Sequence, residues 1–310
     1  MKISRRDFLK WSVAAGVALN IDFDLANVNT VLAAETDPPI IWLQGAGCSG
    51  CSISTLNVTT PTTIDDVLLN KISMKYNSTI MAASGELAMQ SLDECATQYN
   101  GQFILVIEGA VPTGASGNYC IVGEVNGTAL TMQQAVLKYG PMAKYVVAAG
   151  TCASFGGVSA AGSNSTGCQS VKSVLTGKTT NPVVNLAGCP VHPTVMIQSL
   201  LDLVLIGKPT IDSYNRPTKY YGRSVHDTCE RREQDDANGI GSTRGCFEEY
   251  GCMGPDCKNV CQTMKWNKGQ AWCISVNYPC IGCSNPTFPT NPLLQGEEDG
   301  HDDSHDYSHD

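Results

Sequence analysis

The stretch that decides the fold spans residues 40–51 and reads IIWLQGAGCSGC. Its first part, Ile40–Leu43, is a short apolar run that ends close to a glycine, which is typical of a buried parallel strand. Three further runs have the same character: Phe103–Ile107, Tyr145–Ala149 and Val183–Ala187. Helical patterns lie between or after them, at Glu86–Tyr99, Thr131–Tyr139 and Pro193–Ile206. Strands alternating with helices predict an α/β domain with a doubly wound parallel sheet over residues 36–207.

The following stretch, residues 208–290, has a different composition. Strand-like runs are missing, and Gly, Pro, Asn, Asp and Cys dominate. Eight of the fifteen cysteines lie between Cys229 and Cys283. Because such a stretch buries little apolar surface, we expect bound groups to order it, in a second domain.

Cysteines follow three of the predicted strands: Cys48 and Cys51 the first, Cys152 the third and Cys189 the fourth. Because parallel strands end at one edge of a sheet, and ligands gather there, we expect these four thiols to meet. Four thiolates flanked by glycines favour a 4Fe–4S cubane, which needs close approach of the backbone. A zinc ion, disulfides, or a nucleotide at the G-x-G-x-x-G pattern of residues 45–50 are the alternatives.

Two more groups of ligand-type residues lie in the second stretch. The first is His226-x2-Cys229 with Cys246-x5-Cys252. A neutral imidazole in place of one thiolate raises the charge of a cluster and tends to raise its potential. The second group consists of four cysteines: Cys261, Cys273, Cys280 and Cys283.

Four cysteines and two acids remain after these assignments. Cys95 and Cys120 are expected to be structural, and Cys168, in a loop rich in Gly and Ser, has no evident role. Cys257 could substitute for Cys252 or Cys261. Glu86 and Glu108 could orient a cluster loop or relay protons, although ordinary carboxylates at the ends of elements are favoured.

The termini indicate export and a solvated tail. Residues 4–10, SRRDFLK, followed by a short apolar run, form a twin-arginine signal peptide over residues 1–34. This route carries folded proteins, so fifteen cysteines in a long chain favour metal ligation over disulfides. Residues 291–310 are expected to form a disordered acidic tail with three histidines, and a plain solvated tail is favoured over weak binding of a metal ion. The net charge of −9 argues against binding of nucleic acid.

Together these motifs resemble the small subunit of nickel–iron hydrogenases over nearly the whole mature chain. Besides the signal peptide, the matching stretches are residues 42–51 (WLQGAGCSGC), 108–112 (EGAVP), 150–157 (GTCASFGG), 188–190 (GCP), 225–229 (VHDTC), 251–255 (GCMGP) and 279–283 (PCIGC).

The resemblance implies a flavodoxin-like domain followed by an irregular iron–sulfur cluster-binding domain. It implies three ligand sets and no catalytic residue in this chain. The proximal set, facing the large subunit, is Cys48, Cys51, Cys152 and Cys189. The medial set is Cys261, Cys280 and Cys283, here joined by Cys273. The distal set is His226, Cys229, Cys246 and Cys252.

By the same resemblance, the nickel–iron site lies in the partner large subunit. The chain then passes electrons between that site and an external acceptor, such as a multihaem cytochrome c or a quinone module. Many family members have proline where this chain has Cys273, and a three-iron medial cluster. Cys273, with nearby Trp266 and Trp272, resembles the nickel–iron–selenium branch and predicts three 4Fe–4S clusters.

Two further expectations concern the type of enzyme. Oxygen-tolerant relatives have extra cysteines where this chain has Gly50 and Gly157, so an ordinary proximal cubane is expected. No apolar segment follows the last cysteine motif, so we expect a periplasmic heterodimer without a transmembrane segment. The rival hypotheses are a carrier from the related quinone-reductase branch and a disulfide-rich exported binding module.

Overall fold

The computed structural model describes residues 38–290. The expected signal peptide, residues 1–34, and the expected acidic tail, residues 291–310, lie outside the described residues.

Strands and helices alternate as far as residue 205, and regular structure is sparse beyond it. The strands are β1 (Pro39–Gln44), β2 (Ser73–Asn77), β3 (Ile104–Glu108), β4 (Val111–Pro112), β5 (Ile121–Val125), β6 (Thr128–Thr131), β7 (Tyr145–Ala149), β8 (Cys168–Gln169) and β9 (Val183–Leu186). The helices are α1 (Gly50–Leu56), α2 (Ile64–Asn70), α3 (Gly85–Gln98), α4 (Met132–Tyr139), α5 (Gly150–Phe155), α6 (Val171–Leu175), α7 (Pro193–Leu205), α8 (Thr218–Tyr221) and α9 (Cys261–Met264).

The central sheet has five parallel strands in the order β2-β1-β3-β7-β9. This is the flavodoxin-like order of doubly wound sheets. Alternate residues point to opposite faces, so Ile40 and Trp42 pack with α7, whereas Ile41 and Leu43 pack with α3 and α4. Because both faces are covered, strands β1, β3, β7 and β9 read as largely continuous apolar runs. The predicted α/β class and parallel sheet are confirmed.

One strand of the sheet was not predicted from the sequence. β2 pairs only with β1, at the edge of the sheet, and its sequence is Ser-Met-Lys-Tyr-Asn. Its burial is incomplete, so it lacks the apolar run by which the other strands were found. The predicted helices Glu86–Tyr99, Thr131–Tyr139 and Pro193–Ile206 match α3, α4 and α7 to within one residue at each end.

The region beyond residue 208 is organised around a small core that is rich in cysteine. Its buried members are Val225, Ala237, Phe247, Cys257, Cys261, Trp272, Ile274 and Cys280. Its only α-helices among the described residues are α8 and α9, with four residues each. Within residues 38–290, none of the helices has the length and apolar character that a membrane span requires.

Candidate metal centre

The proximal set lies at the carboxyl edge of the sheet, where three loops meet. Cys48 follows β1, and Cys51 lies in the first turn of α1. Cys152 lies in α5, directly after β7, and Cys189 follows β9. Cys48 is exposed, Cys51 is buried, and the other two are half-buried. The parallel register of the sheet therefore brings these cysteines to one edge.

Glycines leave room for a bulky group between these loops. A Cβ on Gly150, whose φ is +84°, would overlap with Sγ of Cys51. A Cβ on Gly157, at φ +52°, would lie 3.0 Å from Sγ of Cys152. One on Gly50 would lie 3.1 Å from Sγ of Cys48. Side chains here would displace the ligand thiols, so the glycine cradle fits a cluster that the backbone approaches closely.

Glu108, at the end of β3, holds the loop that carries Cys51. Its Oε1 accepts from the backbone N–H of Cys51 at 2.9 Å and of Ser52 at 3.0 Å. Its Oε2 accepts from Nε1 of Trp42 at 3.0 Å and from the Ser52 hydroxyl at 2.5 Å. A buried carboxylate with four donors is fully satisfied and fixes the start of α1. The orienting role that sequence analysis ranked second therefore fits Glu108, whereas Glu86 is exposed.

Two of the proximal thiols have raised pKa values. Burial, and then the neighbouring thiols Cys152 and Cys48, raise the pKa of Cys189 to about 11. Burial also raises the pKa of Cys51, with smaller contributions from Glu108 and the two nearest thiols. A positive metal charge beside Cys51 and Cys189 would offset this desolvation and repulsion and favour their thiolate forms.

The medial set is brought together by the core of the second region. Burial, followed by the proximity of Cys257 and Cys273, raises the pKa of Cys261 to about 12. Burial likewise raises the pKa of Cys283, with Cys257, Cys261 and Cys273 as neighbours. Cys273 is thus close enough to Cys261 and Cys283 to interact with both.

Cys257 is a fifth thiol in this group. It is buried, and its Sγ lies 3.1 Å from Oγ of Ser284. Its hydrogen bond with Cys280 lowers the pKa of Cys257 to about 7 and raises that of Cys280. Ser284 donates its hydroxyl to the carbonyl of Lys258 at 2.8 Å, so it holds Cys257 in place. Cys257 therefore packs against the medial set.

All four residues of the distal set line one small cavity. His226, Cys229, Cys246 and Cys252 share its wall with Arg231 and Phe247. Backbone N–H groups point at the sulfurs: that of Arg231 lies 3.4 Å from Sγ of Cys229. Burial raises the pKa of Cys229 and of Cys252, as at the other sets. One imidazole and three thiols around a cavity are a donor set that suits a cluster with one neutral ligand.

Hydrogen bonds connect the three sets in order. Thr151 links the proximal set to the medial set, because its hydroxyl accepts from the N–H of Gly188, next to Cys189, at 2.9 Å and donates to the carbonyl of Cys283 at 2.5 Å. The backbone N–H of Cys280 donates to Sγ of Cys252 at 3.3 Å, which links the medial set to the distal set.

The remaining cysteines lie apart from these sets. Cys95 packs in the core between the sheet and α3. Cys168, in β8, contacts the hydroxyl of Thr166 at 3.3 Å, and Cys120 lies near it. The structure thus groups all twelve expected ligands as expected, while their assignment as ligands stays a prediction. The sequence does not single out Thr151 and Arg231, apart from their position next to, or two residues from, an expected ligand cysteine.

Within residues 38–290, no group of three His, Cys, Asp or Glu side chains is arranged to hold a single metal ion.

A flavodoxin-like sheet with cysteines at its carboxyl edge, joined to a cysteine-rich region, defines an iron–sulfur redox subunit. Comparison with known families agrees. Residues 48–203 match the NADH ubiquinone oxidoreductase, 20 Kd subunit family, and residues 221–294 match the family of the C-terminal part of the NiFe/NiFeSe hydrogenase small subunit. Residues 2–20 match the twin-arginine translocation pathway signal sequence. The chain belongs to the hydrogenase small subunit family.

Individual relatives support this placement. The chain is 36% identical over 307 residues to the periplasmic [NiFeSe] hydrogenase small subunit of Desulfomicrobium baculatum, covering 93% of this chain and 97% of the relative. It is 38% identical to the periplasmic [NiFe] hydrogenase small subunit 1 of Nitratidesulfovibrio vulgaris, over 92% of this chain and 90% of the relative. A crystal structure of the [NiFeSe] hydrogenase from Desulfomicrobium baculatum superposes with a TM-score of 0.78 at 37% identity, over 82% of this chain and 96% of that chain.

These findings confirm the predicted family, the twin-arginine export and the periplasmic location. The chain is the small subunit of a hydrogenase heterodimer. Members of the family hold iron–sulfur clusters in this subunit, and the nickel–iron site lies in the large subunit.

Proposed function

We propose that three 4Fe–4S clusters lie in this small subunit and that it transfers electrons between the large subunit and an external acceptor. The proximal, medial and distal sets would hold one cluster each. Such clusters, when bound, take up and release one electron at a time. The protein contributes the ligands, their burial and the hydrogen bonds to sulfur, which tune the potentials.

The observation that carries this proposal is the order of the sets. Thr151 joins Gly188, next to Cys189 of the proximal set, to Cys283 of the medial set, and Cys252 of the distal set accepts from the backbone N–H of Cys280 of the medial set. The covalent and hydrogen-bonded path from the sheet edge to the distal cavity is therefore continuous. A disulfide-bonded module has no need of such a path.

The test is the metal content of the heterodimer, purified anaerobically from the periplasm through a tag on this chain. We expect about twelve acid-labile sulfides and about twelve to fourteen irons per chain, with about one nickel from the large subunit. A Cys95→Ser variant, altered outside all three sets, is the matched control and retains this content. Paired thiols and no iron in the wild-type preparation would refute the proposal.

The face that binds the large subunit is proposed to be the cleft beside the proximal set. This cleft has a volume of about 920 Å³ and is lined by Gly50, Ile53, Pro190, Met264 and Trp266, among others. Ile53, in α1, has 52% of its surface exposed although it follows Cys51 by two residues. An exposed apolar side chain at the edge of an open cleft is typical of a surface that a partner covers.

The acceptor is proposed to be a multihaem cytochrome c with a basic face, docking over the distal set. Residues 223–249, which include three of the four distal residues, carry seven exposed carboxylates against three exposed arginines, Arg223, Arg232 and Arg244. The carboxylates are Asp227, Glu230, Glu233, Asp235, Asp236, Glu248 and Glu249. Such a surface attracts a basic protein and accelerates its association at low ionic strength.

The experiment replaces Glu248 and Glu249, next to Cys246, by lysine. We expect slower H2-dependent reduction of a lysine-rich multihaem cytochrome c at low salt, and a smaller salt dependence. Reduction of a neutral dye is the control and stays unchanged. An unaltered rate with the cytochrome would refute the acceptor assignment and would favour a quinone module.

A further inference from the structure

Trp272 carries a buried hydrogen-bond donor next to the medial set. The residue directly precedes Cys273, and only 4% of its surface is exposed. Its side chain packs in the cysteine-rich core that also contains Cys261 and Cys280. Among residues 38–290, its indole Nε1–H group finds no hydrogen-bond partner, although it is shielded from solvent.

Asn259 carries a second donor of this kind. It precedes Cys261 by two residues, and 4% of its surface is exposed. Its Oδ1 accepts from the backbone N–H of Val260 at 2.8 Å, which fixes the orientation of the amide. The Nδ2 group on the other side of the amide is buried and has no partner within the described part of the chain. Both donors are neutral, so neither adds charge to the medial set.

A buried donor without an acceptor is costly, because its hydrogen bond to water is lost and not replaced. The indole of Trp42 shows the ordinary arrangement, since it is buried and its Nε1–H donates to Glu108 at 3.0 Å. Trp272 and Asn259 depart from this arrangement, and each adjoins a different ligand of the same set. The acceptors that suit them are the negatively charged sulfurs of a cluster, which commonly receive hydrogen bonds from the surrounding protein.

We propose that Trp272 and Asn259 bind the medial cluster through N–H···S hydrogen bonds and thereby retain it in the chain. The cysteines bind the irons, whereas these two side chains hold the sulfurs from the segments that carry Cys273 and Cys261. Loss of either donor leaves the four thiols in place but holds the cluster less firmly. This inference rests on the proposed function, since it needs a cluster at the medial set.

The first experiment uses the intact heterodimer, produced with tryptophan that is isotopically labelled at the indole nitrogen. Pulsed electron paramagnetic resonance on the medial signal should detect a coupling to this nitrogen, one hydrogen bond away from the cluster. Trp272→Phe removes the N–H group and should abolish the coupling. Trp42→Phe is the matched control and should retain it, because its buried N–H is bound to Glu108. A coupling that is absent from the wild-type enzyme, or that survives in Trp272→Phe, would overturn the inference.

Retention of the cluster gives a second measurement, the rate at which the medial signal disappears in an excess of an iron chelator. Trp272→Phe and Asn259→Leu should each accelerate this loss about five-fold, since each removes one hydrogen bond. Trp42→Phe and Asn70→Leu are the controls and should keep the wild-type rate, because Asn70 is exposed and donates to Asp66.

A wild-type rate in Trp272→Phe or Asn259→Leu would overturn the inference for that residue. Equally accelerated loss of all three cluster signals would also overturn it, because general destabilisation does not single out the medial cluster. A wild-type enzyme that lacks the medial signal and its iron would instead refute the proposed function.

Discussion

Replacing Thr151 by valine tests whether the two regions of the chain are joined at this residue. Valine has nearly the same shape but lacks the hydroxyl, which accepts from Gly188 and donates to Cys283. Thr151 is 1% exposed, so water cannot readily replace these bonds. Two backbone groups lose a partner at about 1–2 kcal/mol each, so we expect a loss of about 2–4 kcal/mol. For a protein of this size, that corresponds to a fall in Tm of about 5–10 °C.

The assay is calorimetry of the heterodimer at a fixed heating rate, because unfolding of a cofactor-containing complex is irreversible. Thr176→Val is the matched control, since Thr176 is exposed and its hydroxyl donates within its own turn, to the carbonyl of Lys172. We expect a change within about 0.5 kcal/mol for this variant. The same fall in Tm for both variants would show that the Thr151 bridge contributes nothing.

Three further variants test the site. Gly150→Ala should lose about four irons per chain, because its Cβ would overlap with Sγ of Cys51. The control Gly177→Ala, also at positive φ but with open space around it, should lose none. Equal iron contents of the two variants would contradict this prediction. Cys273→Ala should lose about one iron per chain and show the resonance of a three-iron medial cluster, and an unchanged spectrum would exclude Cys273 as a ligand. Ile53→Asp should weaken co-purification of the large subunit, whereas Ile240→Asp, equally exposed at 50% but in the second region, should not.

Strands β1, β3, β7 and β9 could be predicted because burial on both faces leaves a direct record in the sequence. Ile104–Glu108 is buried throughout, so nearly every position is apolar. Ser73–Asn77 is only partly buried, so no such record exists. The three sets could be predicted from the spacing of the cysteines, because residues that bind one group from the same loop are close in sequence. Glu108 was ranked too low, because a single carboxylate at a strand end does not reveal how many donors will face it.

Sequence alone determined the family, the export route and the residues that could bind metal, because strand ends, glycines and thiols have local requirements that a linear pattern records. Only the tertiary structure decided which groups meet across long separations. It joined Thr151 to Cys283, Cys280 to Cys252 and Cys257 to Ser284. It also showed that Glu108 and Arg231 are buried without a countercharge among the described residues. Burial and screening depend on everything packed around a charge, so they exist only once the chain has folded.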